Sequence, residues 1–353
     1  MQIEPGTAEN ITRTHVFGDL RPFSQCHAST LVRRSDGQFL VAWFAGTREG
    51  HPDVGIWAAE GSLVSSRGAR PGDVFHEPRR IAKVRDEPHW NPVLFALEPG
   101  GGDFVLHFKV GTHIRSWQTW MQRSRDGGRS WSNAVPLVPG DRGGRGAVRN
   151  KPIRLASGDW LAGASLEGWR HWKAFIDRSP DGLGDWEATK PIAIDRSDFA
   201  GKGLIQPSLW ESQPGRVHAL LRSTDGRVHR SDSDDAGHSW STARAIDVPN
   251  NNSGLDVVRL RDGTLALACN PVAGNRAARS PLSLLFSRDE GETWPARIDV
   301  ETDPGEFSYP ALIEDGDGLA LAYTWNRRRI VVAPIDASRI ATATEAPPHA
   351  SQS

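Results

Sequence analysis

The chain has 353 residues, with 42 basic and 43 acidic side chains and a formal net charge of −1. That length supports a substantial core. The neutral balance argues against a nucleic acid or an anionic membrane as partner, because both select a basic excess. With two cysteines the chain does not rely on disulfides, which fits a reducing, cytoplasmic location. No apolar run has the roughly 18 residues of a membrane span. The polar start MQIEPGTAEN lacks a positive segment followed by an apolar one, so no secretory leader is read there. A leader already removed would leave the same start.

In chain order, the first predicted strand is ITRTHVF at 11–17, which stands alone. STLVRR, FLVAWFAG and VGIWAAE follow as short apolar runs separated by turn residues, the pattern of strands. The next sets of three are PVLFAL, FVLHFKV and QTWMQRS, then KPIRLA, WLAGASL and WKAFIDRS. After them come PSLWES, VHALLRS and VHRSDS, then LDVVRL, LALACN and LSLLFS, and finally PALIED, LALAYTW and IVVAPI. Four sets end in one motif, Ser-x-Asp-x-Gly-x-x-Trp. It reads SRDGGRSW from Ser124, SPDGLGDW from Ser179, SDDAGHSW from Ser233 and SRDEGETW from Ser287, so the starts lie 55, 54 and 54 residues apart. The second copy has Leu183 where the others have glycine.

A fixed period means a repeat architecture. A further strand, such as AVPLV or ARAIDV, follows each motif. The last set has none, and the spare strand at 11–17 can supply it. The chain therefore reads as all-β, a six-bladed β-propeller of four-stranded antiparallel blades. It occupies residues 1–340 as one domain closed by the N-terminal strand and is expected to be monomeric. The remaining residues, 341–353, have little to bury and are expected to form a disordered tail. The motif reads as a structural turn and not as a phosphate or calcium loop. Its serine and aspartate bond turn backbone, its glycine permits positive φ, and its tryptophan packs between blades.

Ser-x-Asp-x-Gly-x-x-Trp resembles the Asp box, or BNR repeat, of the sialidase-like superfamily, over residues 11 to 336. The runs NPVLF, RNKPI, QPSL, NNSGLD and SYPALI resemble its BNR-repeat branch, often labelled sialidase. Hydrolases, lyases and binding modules share that fold, so the fold does not fix the chemistry.

The connections from first to second strand, such as SDGQ, RDGT and DGDG, are plain hairpin turns. They share a rim with the Asp boxes. Functional side chains belong on the other rim, before each first strand or between second and third strands. The first group supplies His27, His89, Asn91, Arg149, Asn150, Gln206, Asn252 and Tyr309. The second supplies Asp53, Lys109, Trp169, Arg222 and Arg276. His107 lies two residues before Lys109 on a strand and points to the same side. A rim rich in Arg, His, Asn and Trp suits an acidic oligosaccharide: guanidinium grips carboxylate in a fork, and indole covers a sugar face. No metal motif is present, and no cofactor is expected.

Three functions remain open at this stage. Elimination at a terminal uronate, as in a rhamnosyl-glucuronate lyase, would use Arg149, Arg222, Asn150 and Gln206 on the carboxylate. His89 or His107 would be the base, and Tyr309 or the other histidine the acid. The resemblance to propeller lyases is in residue type and rim position. Retaining hydrolysis, as the sialidase resemblance implies, would use Tyr309 as nucleophile, Asp53 as acid, and Arg222 with Arg276 or Arg279 on the carboxylate. Two positions depart from that family: His27 replaces its first arginine, and the asparagines of PNNNSGLD stand where a glutamate partner is expected. A glycan-binding propeller without turnover is the third reading.

Overall fold

The computed structural model describes residues 11–63, 74–141 and 143–345. Six four-stranded antiparallel sheets form a six-bladed β-propeller. The first blade holds β2 (Gln25–Arg33), β3 (Phe39–Gly46), β4 (Gly55–Gly61) and β5 (Arg79–Ala82). The second holds β6 (His89–Ala96), β7 (Phe104–Val110), β8 (Gln118–Ser124) and β9 (Val135–Pro136). The third holds β10 (Ile153–Arg154), β11 (Trp160–Glu167), β12 (Trp172–Ser179) and β13 (Glu187–Ala188). The fourth is β14 (Leu204–Gln213), β15 (Arg216–Ser223), β16 (Arg227–Ser233) and β17 (Arg244–Pro249). The fifth is β18 (Asp256–Arg259), β19 (Leu265–Cys269), β20 (Leu282–Ser287) and β21 (Ala296–Glu301). The sixth is β22 (Phe307–Asp315), β23 (Gly318–Trp325), β24 (Arg329–Ile335) and, as outer strand, β1 (Thr14–His15), which pairs Thr14 with Val332 and His15 with Val331.

Strand periodicity builds the core between blades. On β3, Val41 and Trp43 join a cluster with Ala320, Ala322 and Val332 of the sixth blade. Leu40, Ala42 and Phe44, pointing the opposite way, join Leu94, Leu106 and Phe108 of the second. Because both faces of each middle strand are buried, these strands are almost continuously apolar.

The Asp boxes share one bond pattern. The serine hydroxyl donates to the aspartate at 2.8 Å (Ser124–Asp126), 2.7 Å (Ser233–Asp235) and 2.7 Å (Ser287–Asp289), and accepts from the N–H of Gly128, Gly237 or Gly291. Gly128 has φ +86°, and a Cβ there would lie 2.4 Å from Leu40 of the preceding blade, so glycine is required twice over. In the copy with Leu183, Gly182 takes the left-handed conformation and donates to Ser179 instead, one position earlier. The boxes touch the first-to-second-strand turns: Gly127 N–H donates to Gly102 O, and Ala236 N–H to Gly215 O, both at 2.8 Å.

The tail differs from expectation. A helix, α1 (Ala337–Glu345), continues past residue 340 because Ile340 is buried against the apolar cluster of the fifth and sixth blades. The part of the expected tail after 345 lies outside the described residues. Among the described residues no helix is long and apolar enough to cross a membrane.

Candidate active site

The site is built by a repeated irregularity. The inner strands of the first, second, fourth and sixth blades each carry a register shift, between His27 and Thr30, Trp90 and Val93, Ile205 and Ser208, and Ser308 and Ala311. Each shift contains one non-glycine residue in the left-handed region: Ala28 (φ 58°), Asn91 (38°), Gln206 (57°) and Tyr309 (55°). In three of the four, proline follows at once and removes a ladder donor at the bulge. A bulge re-aims a side chain, and L-residues adopt this backbone at a cost of roughly 1–2 kcal/mol. Strain repeated at one rim marks a constructed site.

Tyr309 is its centre. The Arg222 Nη1 donates to the phenol oxygen at 3.0 Å and to Gln206 Oε1 at 3.1 Å, while its Nε donates to Asn252 Oδ1 at 2.7 Å. The guanidinium carbons of Arg149, Arg279 and Arg222 lie 5.1, 5.5 and 5.8 Å from the centre of the Tyr309 ring. The imidazole of His27 packs against the same ring at 4.2 Å between centroids, and its Nδ1 hydrogen-bonds Thr324 at 3.1 Å. Burial first, then the charges of Arg327, Arg279, Arg149 and Arg222, hold His27 well below the usual imidazole range, so it is neutral.

Acidic partners are unevenly shared. Glu306 accepts from Arg279 at 2.7 Å and from Arg327 at 3.0 Å, and Arg327 also pairs with Glu49. Arg149 and Arg222 are only 2% and 8% exposed, yet neither has a carboxylate within 4 Å among the described residues. Arg149 donates to Pro310 O at 2.7 Å, and burial lowers its pKa to about 10. Three buried polar atoms at the site have no partner among the described residues: His27 Nε2, Arg149 Nε and Asn150 Oδ1. Buried cations are ordinarily paired and buried polar atoms bonded, so this pocket holds positive charge and hydrogen-bonding capacity that the described residues do not use.

The model of the BNR repeat-like domain matches residues 37–321. The chain belongs to this BNR repeat-like family. A search of curated proteins finds none that matches. Among solved structures, the Hadza microbial sialidase Hz136 superposes with a TM-score of 0.75 at 15% identity, covering 93% of this chain and 69% of that one. A protein of unknown function from Dyadobacter fermentans gives 0.73 at 15% identity, covering 93% of this chain and 98% of the other. Trypanosoma rangeli sialidase in complex with sialic acid gives 0.71 at 13% identity, covering 97% of this chain and 61% of that one. At such identities the likeness establishes the fold.

In this BNR repeat-like chain, His27, Arg149, Gln206, Arg222, Asn252 and Tyr309 come together. Asn150 joins them through its amide, which donates to Gln206 O at 3.0 Å, and Asn91 stands at its own bulge, 5% exposed. Other expected residues are elsewhere. His89 is fully buried: its Nε2 accepts from Val84 N–H and its Nδ1 donates to Glu87 O, both at 2.9 Å, so neither nitrogen is left for a substrate proton. His107 does share the Lys109 side of β7, but it is sealed edge-on between Phe95 and Trp186 in the core of the second and third blades. Lys109 is also fully buried, bonding Thr119 Oγ1 at 2.6 Å and Arg145 O at 2.8 Å, and burial lowers its pKa to about 7. It holds the loop leading to Arg149 and does not face the pocket. Asp53 is committed to Thr47 and His51 within its own loop. Arg276 is exposed at φ 66°; Arg279, three residues on, is the arginine that reaches Tyr309. Trp169 is 80% exposed at the tip of the β11–β12 hairpin. Glu49 and Glu306 form the acidic side of the site; the sequence places Glu49 on this rim with Asp53, whereas Glu306 was not singled out, although it stands three residues before Tyr309.

Proposed function

We propose that this protein binds and cleaves the terminal acidic sugar of a glycan at the Tyr309 pocket. The observation that carries the reading is the pair Arg149 and Arg222, buried beside Tyr309 without a carboxylate partner among the described residues. A substrate carboxylate supplies the missing charge. Arg222 Nη2 and Arg279 Nη2 donate to none of the described residues and are free to grip it, while Arg279 Nη1 stays on Glu306 and Ser308 Oγ.

Sialidase-like retaining hydrolysis is the first reading of the chemistry. Tyr309 is the one nucleophile at the centre of the pocket, and Arg222, bonded to its oxygen, stabilises charge that develops there in the transition state. Elimination at a uronate is the second reading, favoured by His27: a neutral imidazole with an unbonded Nε2 beside the phenol is a base–acid pair for the C5 proton and the leaving oxygen. In that reading His27 takes the part expected of His89 or His107. Purified protein incubated with sialylated and with glucuronate-capped oligosaccharides separates the two. Free acidic sugar without ultraviolet absorbance of an unsaturated uronate means hydrolysis, and appearance of that absorbance means elimination. Binding without turnover of any acidic glycan would overturn both in favour of a glycan-binding propeller.

A further inference from the structure

A row of alternating rings and cations runs outward from the pocket. From Tyr309 it passes to Arg222 at 5.8 Å, from Arg222 to the Trp172 ring at 5.9 Å, from Trp172 to Lys202 Nζ at 5.8 Å, and from Lys202 to the Trp169 ring at 5.9 Å. Trp169 and Trp172 belong to the hairpin between β11 and β12, in which Trp172 pairs in register with Glu167. Glu167 is half-buried on the inner side of this row. Its Oε1 accepts from Ser165 Oγ at 3.3 Å, and the Gln206 amide stands 3.5 Å away. Gln206 in turn accepts from the same Arg222 nitrogen that bonds Tyr309.

We infer that the Glu167–Trp172 hairpin is the leaving-group side of the site, with Glu167 as proton donor to the departing oxygen and Trp169 as platform for the glycan beyond it. The inference rests on the reading of Tyr309 and the arginines as the pocket for the terminal sugar. When the bond between that sugar and the next breaks in hydrolysis, the sugar carbon bonds to the Tyr309 oxygen, whose phenol proton passes to His27 and returns when water displaces the phenol. The bonding pair goes to the bridging oxygen, which takes the proton from the Glu167 carboxyl and departs as an alcohol. Glu167 is left as carboxylate within the field of Arg222 and Lys109. In hydrolysis it then takes a proton from the water that completes the reaction, so glycoside plus water gives two sugars. Burial raises the Glu167 pKa above that of an ordinary glutamate; the Arg222 charge, the Gln206 and Ser165 bonds and the Lys109 charge pull it down less strongly. A carboxyl protonated beyond the usual range is suited to donate. The exposed Trp169 ring covers a sugar face, and Lys202 between the two indoles favours a chain that carries further acidic groups.

The test compares Glu167→Gln with the unaltered protein on an acidic glycoside with an ordinary sugar leaving group and on its para-nitrophenyl counterpart, which departs without a proton. We expect kcat on the sugar leaving group to fall about 10²–10⁴-fold and on the nitrophenyl glycoside to fall by under about tenfold, with loss of the basic limb of the pH profile. Trp169→Ala is expected to raise KM more for chains of three or more sugars than for the aryl glycoside. Equal losses on both leaving groups overturn the donor role, and a KM change indifferent to chain length overturns the subsite. If the unaltered protein cleaves no acidic glycan at all, the reading of the pocket itself fails.

Discussion

The Arg149 guanidinium lies 5.1 Å from the centre of the Tyr309 ring, and the two side chains come from opposite blades, the third and the sixth. Arg149 is anchored to the carbonyl that follows Tyr309, so the cation and the bulge form one unit. An arginine kept 98% from solvent without a carboxylate costs stability in the free protein, a cost that a bound anion would offset.

Arg149→Met therefore tests function against stability. Replacing an unpaired buried cation with an apolar chain of similar length is expected to leave the melting temperature unchanged or raise it by a few degrees. Turnover of an acidic glycan should fall about 10²-fold or more. A large drop in melting temperature, measured by calorimetry, would make Arg149 a structural residue.

The two arginines of GNRAARS should separate cleanly. Arg279→Ala removes a cation 5.5 Å from Tyr309 and should raise KM for the acidic substrate about tenfold or more, whereas Arg276→Ala, in the exposed turn, should change it by under about twofold. Tyr309→Phe, which leaves the fold intact, should abolish turnover while substrate binding persists.

His107 gives a pH prediction. Burial, and less strongly the Lys109 charge, lowers its pKa from 6.5 to about 3, so the unfolded chain binds a proton more readily than the folded one. Its contribution to stability is complete above pH 6.5 and is lost as pH falls toward 3, at up to ~1.4 kcal/mol per pH unit. His107→Leu should flatten that slope in thermal melts across this range and leave kcat unchanged, since the ring touches only Phe95, Trp186 and their surroundings.

The Asp boxes give a second. Asp126→Ala removes the acceptor for Ser124, Ser130 Oγ and Ser130 N–H and should cost about 1–3 kcal/mol, with kcat of the folded protein intact. In the equivalent box the Asp235 pKa is lowered to about 2: burial opposes the shift, but the bonds from Ser239, Ser233 and the backbone outweigh it. Its stabilisation is present above pH 3.8 and disappears as pH drops toward 2; Asp235→Asn should weaken that acid loss in denaturant titrations at successive pH values.

Sequence alone determined the architecture. Alternating apolar runs and a motif returning every 54 or 55 residues fix blade number and blade boundaries, because both are local patterns repeated in register. It also placed His27, Gln206, Arg222 and Tyr309 on one rim, since the ends of strands are legible from turns. What it left undecided was which of the rim residues meet. His89 and Asp53 stand on that rim as expected, but local backbone and side-chain bonds hold them. The difference between Arg276 and Arg279 is the path of one loop, tied down by Glu306 from the next blade. His107 and Lys109 lie on the expected side of their strand, yet that side faces a neighbouring blade instead of the channel. Strand periodicity gives two faces without saying what covers each. Only closure of the ring, which brings the third blade across to the sixth, decides that Arg149 and Tyr309 share a pocket.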